Sequence, residues 1–229
     1  MTITLYELAG ADADRRFSPY CWRIRMALLH KGLSFKTEPV WLNEKDRIAF
    51  SGQGLVPVLV DGERTVIDSF AIAAYLEDTY RDAPSLFGNP SGLARFATNA
   101  VDAVLTVKLA GFIVTDVFAV IAEQDRPYYR ETREKRFGMS LEAVTADRDE
   151  RLPAFRDSLE PIRKTVREQK FLCGAAPGWA DYVAFSSFQW ARCTSPYQLL
   201  ATDDPLYDWR ERMLDLFSGE GRKAVGFPV

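Results

Sequence analysis

This chain carries few of the residues from which common catalytic centres are built. Among its 229 residues there is one histidine and there are three cysteines. A triad built on an imidazole would have to use His30. One imidazole and three thiols are too few for a dedicated zinc cluster, so no metal is expected. Cys21, Cys173 and Cys193 are odd in number and unclustered. No disulfide framework is implied, and a reducing, cytoplasmic setting is expected. Surplus charge is missing too: 29 Lys and Arg face 32 Asp and Glu, for a net charge of −3. That balance argues against nucleic acid and anionic membranes as partners. The N-terminal residues show no basic stretch followed by an apolar one, so no signal peptide is expected. The greasiest segment, 100–121, holds Asp102, Lys108 and Asp116 and reads as a buried helix rather than a membrane span.

What remains is a globular composition, 47% hydrophobic, in a length that admits one large domain or two small ones. Residues 3–8 form a short β-rich run. Ser18-Pro19 then reads as an N-cap with proline at the first helical position, and Trp22, Met26 and Leu29 follow on one helical face. Gly32 is a helix stop, and residues 35–42 read as a second strand that Pro39 pushes to an edge. Residues 56–60 and 64–67 around Asp61-Gly62 predict an antiparallel hairpin. Asp68-Ser69 caps the next helix, with Ile72, Tyr75 and Leu76 on its core face.

The order is thus β-α-β, an intervening segment, then β-β-α. Pro84, Gly88 and Pro90 mark a linker at 82–91, and β-type alternation ends there. Residues 92–123 predict a long helix with Phe96, Leu105, Leu109 and Phe112 on its apolar stripe. Further helical periodicity occupies 128–145, 150–170, 179–193 and 205–217. A small α/β domain over 1–81 and an all-helical domain over 92–229 are expected.

Three features of the first domain carry chemistry. Ser18 can cap its helix by accepting a backbone N–H and still donate its own proton outward. A helix N-terminus with an outward hydroxyl favours an anion, and a thiolate qualifies. Lowering a thiol pKa by about two units takes about 2.7 kcal/mol. One charge-assisted hydrogen bond of about 1.5–3 kcal/mol plus the helix dipole covers that without histidine. Val56-Pro57 opens a strand, where proline is normally out of place. The pair makes sense if the bond is cis and the Val56 backbone is free to pair with an extended peptide, an ordinary edge proline being the alternative. Asp68-Ser69 offers backbone N–H groups and a hydroxyl to a carboxylate, and the Asp68 carboxylate to an ammonium, beyond a simple N-cap. A thiolate donor, a peptide-pairing strand and an amino-acid clamp together describe a site for a tripeptide thiol.

The segments SPYCWRIRMALLHKGL and LVPVLVDGERTVIDSFAIAAYLEDTY resemble the thioredoxin-like N-terminal domain of the glutathione transferases. In the helical half, YYRETREKRFGMSLEAV and FLCGAAPGWADYVAFSSFQWARCTSP look like the bacterial lignin β-etherase branch and the related Fua class. The resemblance implies a mixed sheet in a thioredoxin-like domain, an all-helical second domain, glutathione as co-substrate and a homodimer. It places the activating serine on Ser18 and the cis-proline on Pro57, with Val56 as backbone partner. The acidic-Ser pair that holds the γ-glutamyl group falls on Asp68-Ser69. Asn43, Lys45, Arg47 and Gln53 are candidates for the glycyl end. The implied activity is transfer of glutathione to hydrophobic or aromatic electrophiles, with β-aryl ether cleavage as its sharper form. A non-catalytic protein holding glutathione or hydrophobic ligands is the alternative.

Ser18-Pro19-Tyr20-Cys21 is a glutaredoxin-type motif with its first Cys replaced by Ser, which argues against dithiol chemistry. Gly178 stands where the family's helix-capping box usually has Ser or Thr; the substitution is expected to cost a few tenths of a kcal/mol, with Asp181 still reaching back. Tyr6 is a rival thiol activator. His30 reads as a cationic partner of a helix C-terminus, and 130–136, with its mixed signs, as a solvated face. Phe17, Trp22, Phe112, Trp190 and Tyr197 could line an apolar pocket, though each reads first as core.

Overall fold

The computed structural model describes residues 2–88 and 92–228. The last three residues of the expected linker, Pro90 among them, lie outside the described residues. The first half is built as the sequence predicts. Strand β1 (Ile3–Leu8) leads to helix α1 (Pro19–His30), whose N-terminus Ser18 caps and whose end Gly32 turns away with φ of 64°. Strand β2 (Phe35–Val40) follows, two residues shorter than its apolar run suggests. A 3₁₀ segment, Lys45–Ser51, then precedes the hairpin of β3 (Val58–Asp61) and β4 (Arg64–Ile67) and helix α2 (Ser69–Thr79).

The sheet has the order β2-β1-β3-β4. β1 runs parallel to β2 and antiparallel to β3, so the sheet is mixed, with Pro39 on an edge strand where its missing N–H is tolerated. α1 and α2 bury Trp22, Ile24, Met26, Leu28, Ile72 and Leu76. The Tyr75 ring is only half-buried; its hydroxyl donates to Asp61 at 2.9 Å.

The helical half opens with a near-continuous rod: α3 (Leu93–Val101), a π-helical turn (Asp102–Thr106) and α4 (Val107–Val120). Its length and mean hydropathy of 1.9 would let it cross a membrane, yet Leu105, Leu109, Phe112 and Val117 lie in the core. Phe96 departs from the expected stripe: it is 71% exposed. Phe96 lies nine residues before Leu105, about two and a half turns, so regular 3.6-residue spacing already sets it on the opposite face of the helix.

Two expected helices are each broken in two. Gly138, at φ of 72°, separates α5 (Arg126–Phe137) from α6 (Leu141–Thr145). Leu159 separates α7 (Arg148–Ser158) from α8 (Glu160–Glu168), with Pro161 in the new first turn. α9 (Trp179–Thr194) is the central helix of this half, with most of its side chains buried. α10 (Pro205–Lys223) is longer than expected and leaves helical geometry at 216–219.

One core runs through both halves. Polar contacts across the join reinforce it: the Arg23 guanidinium pairs with Asp102 and donates to Ser186, and Arg25 reaches both Glu7 and Glu220. The buried Asp181 carboxylate accepts from the N–H groups of Leu172, Cys173 and Gly178 and from the Trp209 indole. It closes the capping box with glycine in place of a hydroxyl residue. A Cβ on Gly178 would lie 2.9 Å from the Cys173 sulfur, 3.0 Å from its Cβ and 3.2 Å from the Leu86 carbonyl. The departure from Ser or Thr is therefore a matter of space, not a tolerated loss.

Candidate active site

A cavity of about 870 Å³ opens between the sheet and the helices. Its sheet side is formed by the start of α1, by Lys45 and Ile48 of the 3₁₀ segment, and by Leu55 and Val56 ahead of β3. α4, α5 and Trp190 of α9 form the other side.

Ser18 is part of the cavity wall. Its backbone is extended (φ −60°, ψ 125°), which folds the hydroxyl over the first turn of α1, where Oγ accepts the Cys21 N–H at 3.4 Å. Pro19 follows at a position that needs no N–H donor. The residue is 5% exposed, and that small exposure is to the cavity. The hydroxyl proton is not consumed by the capping bond, so it can be given to an anion held at the positive helix end.

The Val56–Pro57 bond is cis. Register pairs Val58 with Ile67, so the next residues outward on the two strands are Pro57 and Asp68. Asp68 adopts φ of 68° with ψ of 129°, a sparsely populated positive-φ conformation. Its Oδ1 accepts from the N–H groups of Phe70 and Ala71 at 3.1 and 3.0 Å, which caps α2 and leaves Oδ2 out of both bonds. Ser69, next to it, is buried. The fold therefore gathers Val56, Pro57, Asp68 and Ser69 at one end of the hairpin. Ser18 and Val56 share the cavity wall, while Asp68 and Ser69 stand outside that wall.

Of the four candidates for the glycyl end, Lys45 alone is among the described lining residues of the cavity. Its ammonium lies 3.3 Å from the Tyr128 hydroxyl and over that ring. Asn43 bonds the Gln124 carbonyl, Arg47 faces Glu38 and Glu44, and Gln53 bonds the Leu55 carbonyl.

The rivals to Ser18 lie elsewhere. Cys21 is fully buried; burial, aided by the Glu7 carboxylate, pushes its thiol up to about 12. It is an inert core thiol. The Tyr6 ring packs on Phe50 and is not part of the cavity lining. His30 stands in the last turn of α1, as its sequence position suggests, and is tied to the helical half as well. It contacts the Tyr182 hydroxyl at 2.6 Å and the Ser85 carbonyl at 3.1 Å, and burial pulls its pKa below 6.5. It is a hydrogen-bonding bridge between the halves, and its burial favours the neutral ring.

Of the five aromatics singled out, Phe17 and Trp190 line the cavity. Trp22 and Phe112 are core, and Tyr197 donates to Asp149. The stretch 130–136 is not simply solvated, because Arg133 and Arg136 line the cavity beside Tyr129, Thr132 and Phe137. Those positions recur every three or four residues and mark one face of α5. That periodicity was legible; the charged residues on it masked the face as exterior.

Family models match most of the chain. The glutathione S-transferase N-terminal domain matches residues 17–79, and the glutathione S-transferase C-terminal domain matches residues 92–204. The glutathione S-transferase Z2 of Arabidopsis thaliana is 40% identical over 82 residues, which cover 34% of this chain and 35% of that protein. The matched stretch is thus about a third of that relative's length. A probable glutathione S-transferase of Glycine max is 29% identical over 208 residues, 86% of this chain and 80% of the relative. Among solved structures, the glutathione transferase GSTFuA3 of Phanerochaete chrysosporium superposes with a TM-score of 0.77 at 24% identity, covering 97% of this chain and 94% of that one. The thioredoxin-like sheet half, the helical half and both family matches lead to one assignment: the chain belongs to the glutathione S-transferase superfamily.

Proposed function

We propose that this protein transfers glutathione to hydrophobic or aromatic electrophiles, with Ser18 holding the glutathione sulfur as a thiolate. The observation that carries the reading is the Ser18 hydroxyl at the N-terminus of α1, on the wall of a cavity large enough for a peptide thiol and a second molecule. Asp68 and Ser69 at the α2 N-terminus take the γ-glutamyl ammonium and carboxylate. Val56 pairs through its backbone with the cysteinyl unit, and Lys45 meets the glycyl carboxylate. Support for the clamp comes from the adjacency of Pro57 and Asp68 and from the position of Lys45 on the cavity wall.

The serine proton and the helix dipole together stabilise the negative sulfur, and the cavity brings the electrophilic carbon to it. In β-aryl ether cleavage the thiolate would form a sulfur–carbon bond as the carbon–oxygen bond breaks, and the phenolate would leave and take a proton from water. A homodimer belongs to the same reading; exposed Phe50, Ile67, Leu93 and Phe96 supply apolar surface for it. The three unpaired cysteines accord with a cytoplasmic location.

The test is turnover of an activated aryl halide and of a β-aryl ether with glutathione, wild type against Ser18→Ala. The variant should keep glutathione binding and lose most of its turnover. A wild type that binds glutathione yet turns over nothing across a broad electrophile panel would make it a binding protein.

A further inference from the structure

The charges around the cavity are all of one sign. Lys45, Arg133 and Arg136 line it, and no Asp or Glu does among the described residues. Lys45 belongs to the sheet side; the two arginines sit one turn apart on α5, across from it. Arg130 on the same helix is neutralised, pairing with Glu134 and with Glu142 at 2.8 Å each. Arg133 and Arg136 form no ion pair among the described residues.

Arg133 is the more confined of the two. Its guanidinium donates to Thr132 Oγ1 at 2.9 Å and lies over the Tyr129 ring at 4.7 Å. Burial lowers its pKa, and the nearby Arg136 adds to that effect. A partly buried cation with a like-charged neighbour and no carboxylate is an unfavourable arrangement unless something anionic joins it. A guanidinium also presents a planar fork that fits a carboxylate. The surrounding wall is apolar and aromatic, with Val114, Val117, Phe137 and Trp190.

We infer that the electrophile this protein accepts is an amphipathic aromatic acid, whose ring fills the apolar wall and whose carboxylate is held by Arg133 and Arg136. This inference rests on the transferase reading above for the identity of the site, and it assigns the two arginines to the acceptor rather than to glutathione. The arginines act as specificity determinants: they fix which end of the acceptor faces away from the sulfur.

Equilibrium binding tests this independently of turnover. The probes are 2-naphthoate and its neutral isostere 2-naphthamide, titrated by fluorescence or calorimetry with and without saturating glutathione. Naphthoate should bind at least about tenfold more tightly than the amide, a preference worth about 1.4 kcal/mol. Raising the salt should weaken naphthoate alone. Arg133→Met and Arg136→Gln should each reduce naphthoate affinity several-fold and leave naphthamide within twofold; binding of the amide also reports that each variant is folded. Equal binding of the two probes would overturn the proposal, as would a naphthoate preference surviving in the double variant. Displacement of naphthoate by glutathione would overturn it as well, because the arginines would then serve the tripeptide. Failure of the transferase reading would show instead as absent turnover with the binding preference intact.

Discussion

Ser18 Oγ accepts the backbone N–H of Cys21 at 3.4 Å, and this one contact assigns the two residues opposite duties. The hydroxyl faces the cavity, while the thiol three residues on is sealed in the core. The arrangement S-P-Y-C thus presents a hydroxyl, and no thiol among the described residues, to the cavity.

Cys21→Ala should leave kcat/KM with glutathione within about twofold, because the thiol has no access to the cavity. Removing a buried sulfur should lower stability by about 1 kcal/mol, read as a fall in melting temperature. A large loss of turnover would restore thiol exchange as the chemistry.

Asp68 has separable roles in capping and in charge. Asp68→Asn keeps an oxygen to accept from Phe70 and Ala71 and differs from Asp little in shape or backbone preference. Stability should stay within about 0.5 kcal/mol of wild type. The KM for glutathione should rise about tenfold as the partner of the γ-glutamyl ammonium loses its charge. Asp68→Ala should show both effects, with about 1 kcal/mol of lost stability. Unchanged KM in both variants would remove Asp68 from the glutathione clamp.

The His30–Tyr182 bridge should make stability depend on pH. Burial lowers the His30 pKa from 6.5, so between that lowered value and 6.5 the unfolded chain binds the extra proton. The bridge's contribution is full above about pH 6.5 and is lost as pH falls through the folded value. His30→Gln should flatten this part of the stability–pH curve. An identical slope in the variant would show that other groups produce it.

Restoring a hydroxyl at the α9 cap should harm rather than help. Gly178→Ser places a Cβ against the Cys173 sulfur and the Leu86 carbonyl and should destabilise by about 1–3 kcal/mol. Cys173→Ala in the same background should recover part of that loss. A Gly178→Ser variant as stable as wild type would contradict the spatial account.

Local rules made much of the sheet half readable. Ser18-Pro19, Gly32, Asp61-Gly62 and Asp68 each specify a turn or a cap through their own backbone preferences, and they fall where such elements are needed. The 3₁₀ segment at Lys45–Ser51 carried no such marker, since neither helical nor alternating periodicity runs through it. In the helical half, periodicity indicated that residues were helical but not where helices break. Gly138 and Pro161 stand at the two breaks, one at a left-handed helix end and one in a new first turn, yet the periodicity over 128–145 and 150–170 reads straight through both. Phe96 was misplaced because its aromatic side chain reads as core, although nine residues, about two and a half turns, separate it from Leu105. Arg133 and Arg136 were hidden for a different reason. Charge reads as exterior until the fold shows a cavity beneath it, and that cavity is assembled from both halves of the chain.

The most direct test of the account is the ionisation of the thiol of bound glutathione, followed by its ultraviolet thiolate absorbance across pH. Bound to the wild type, the thiol should titrate about two units below its value in water, and Ser18→Ala should return most of that shift, about 2.7 kcal/mol of differential stabilisation. The same titration midpoint in both proteins would contradict the role given to Ser18.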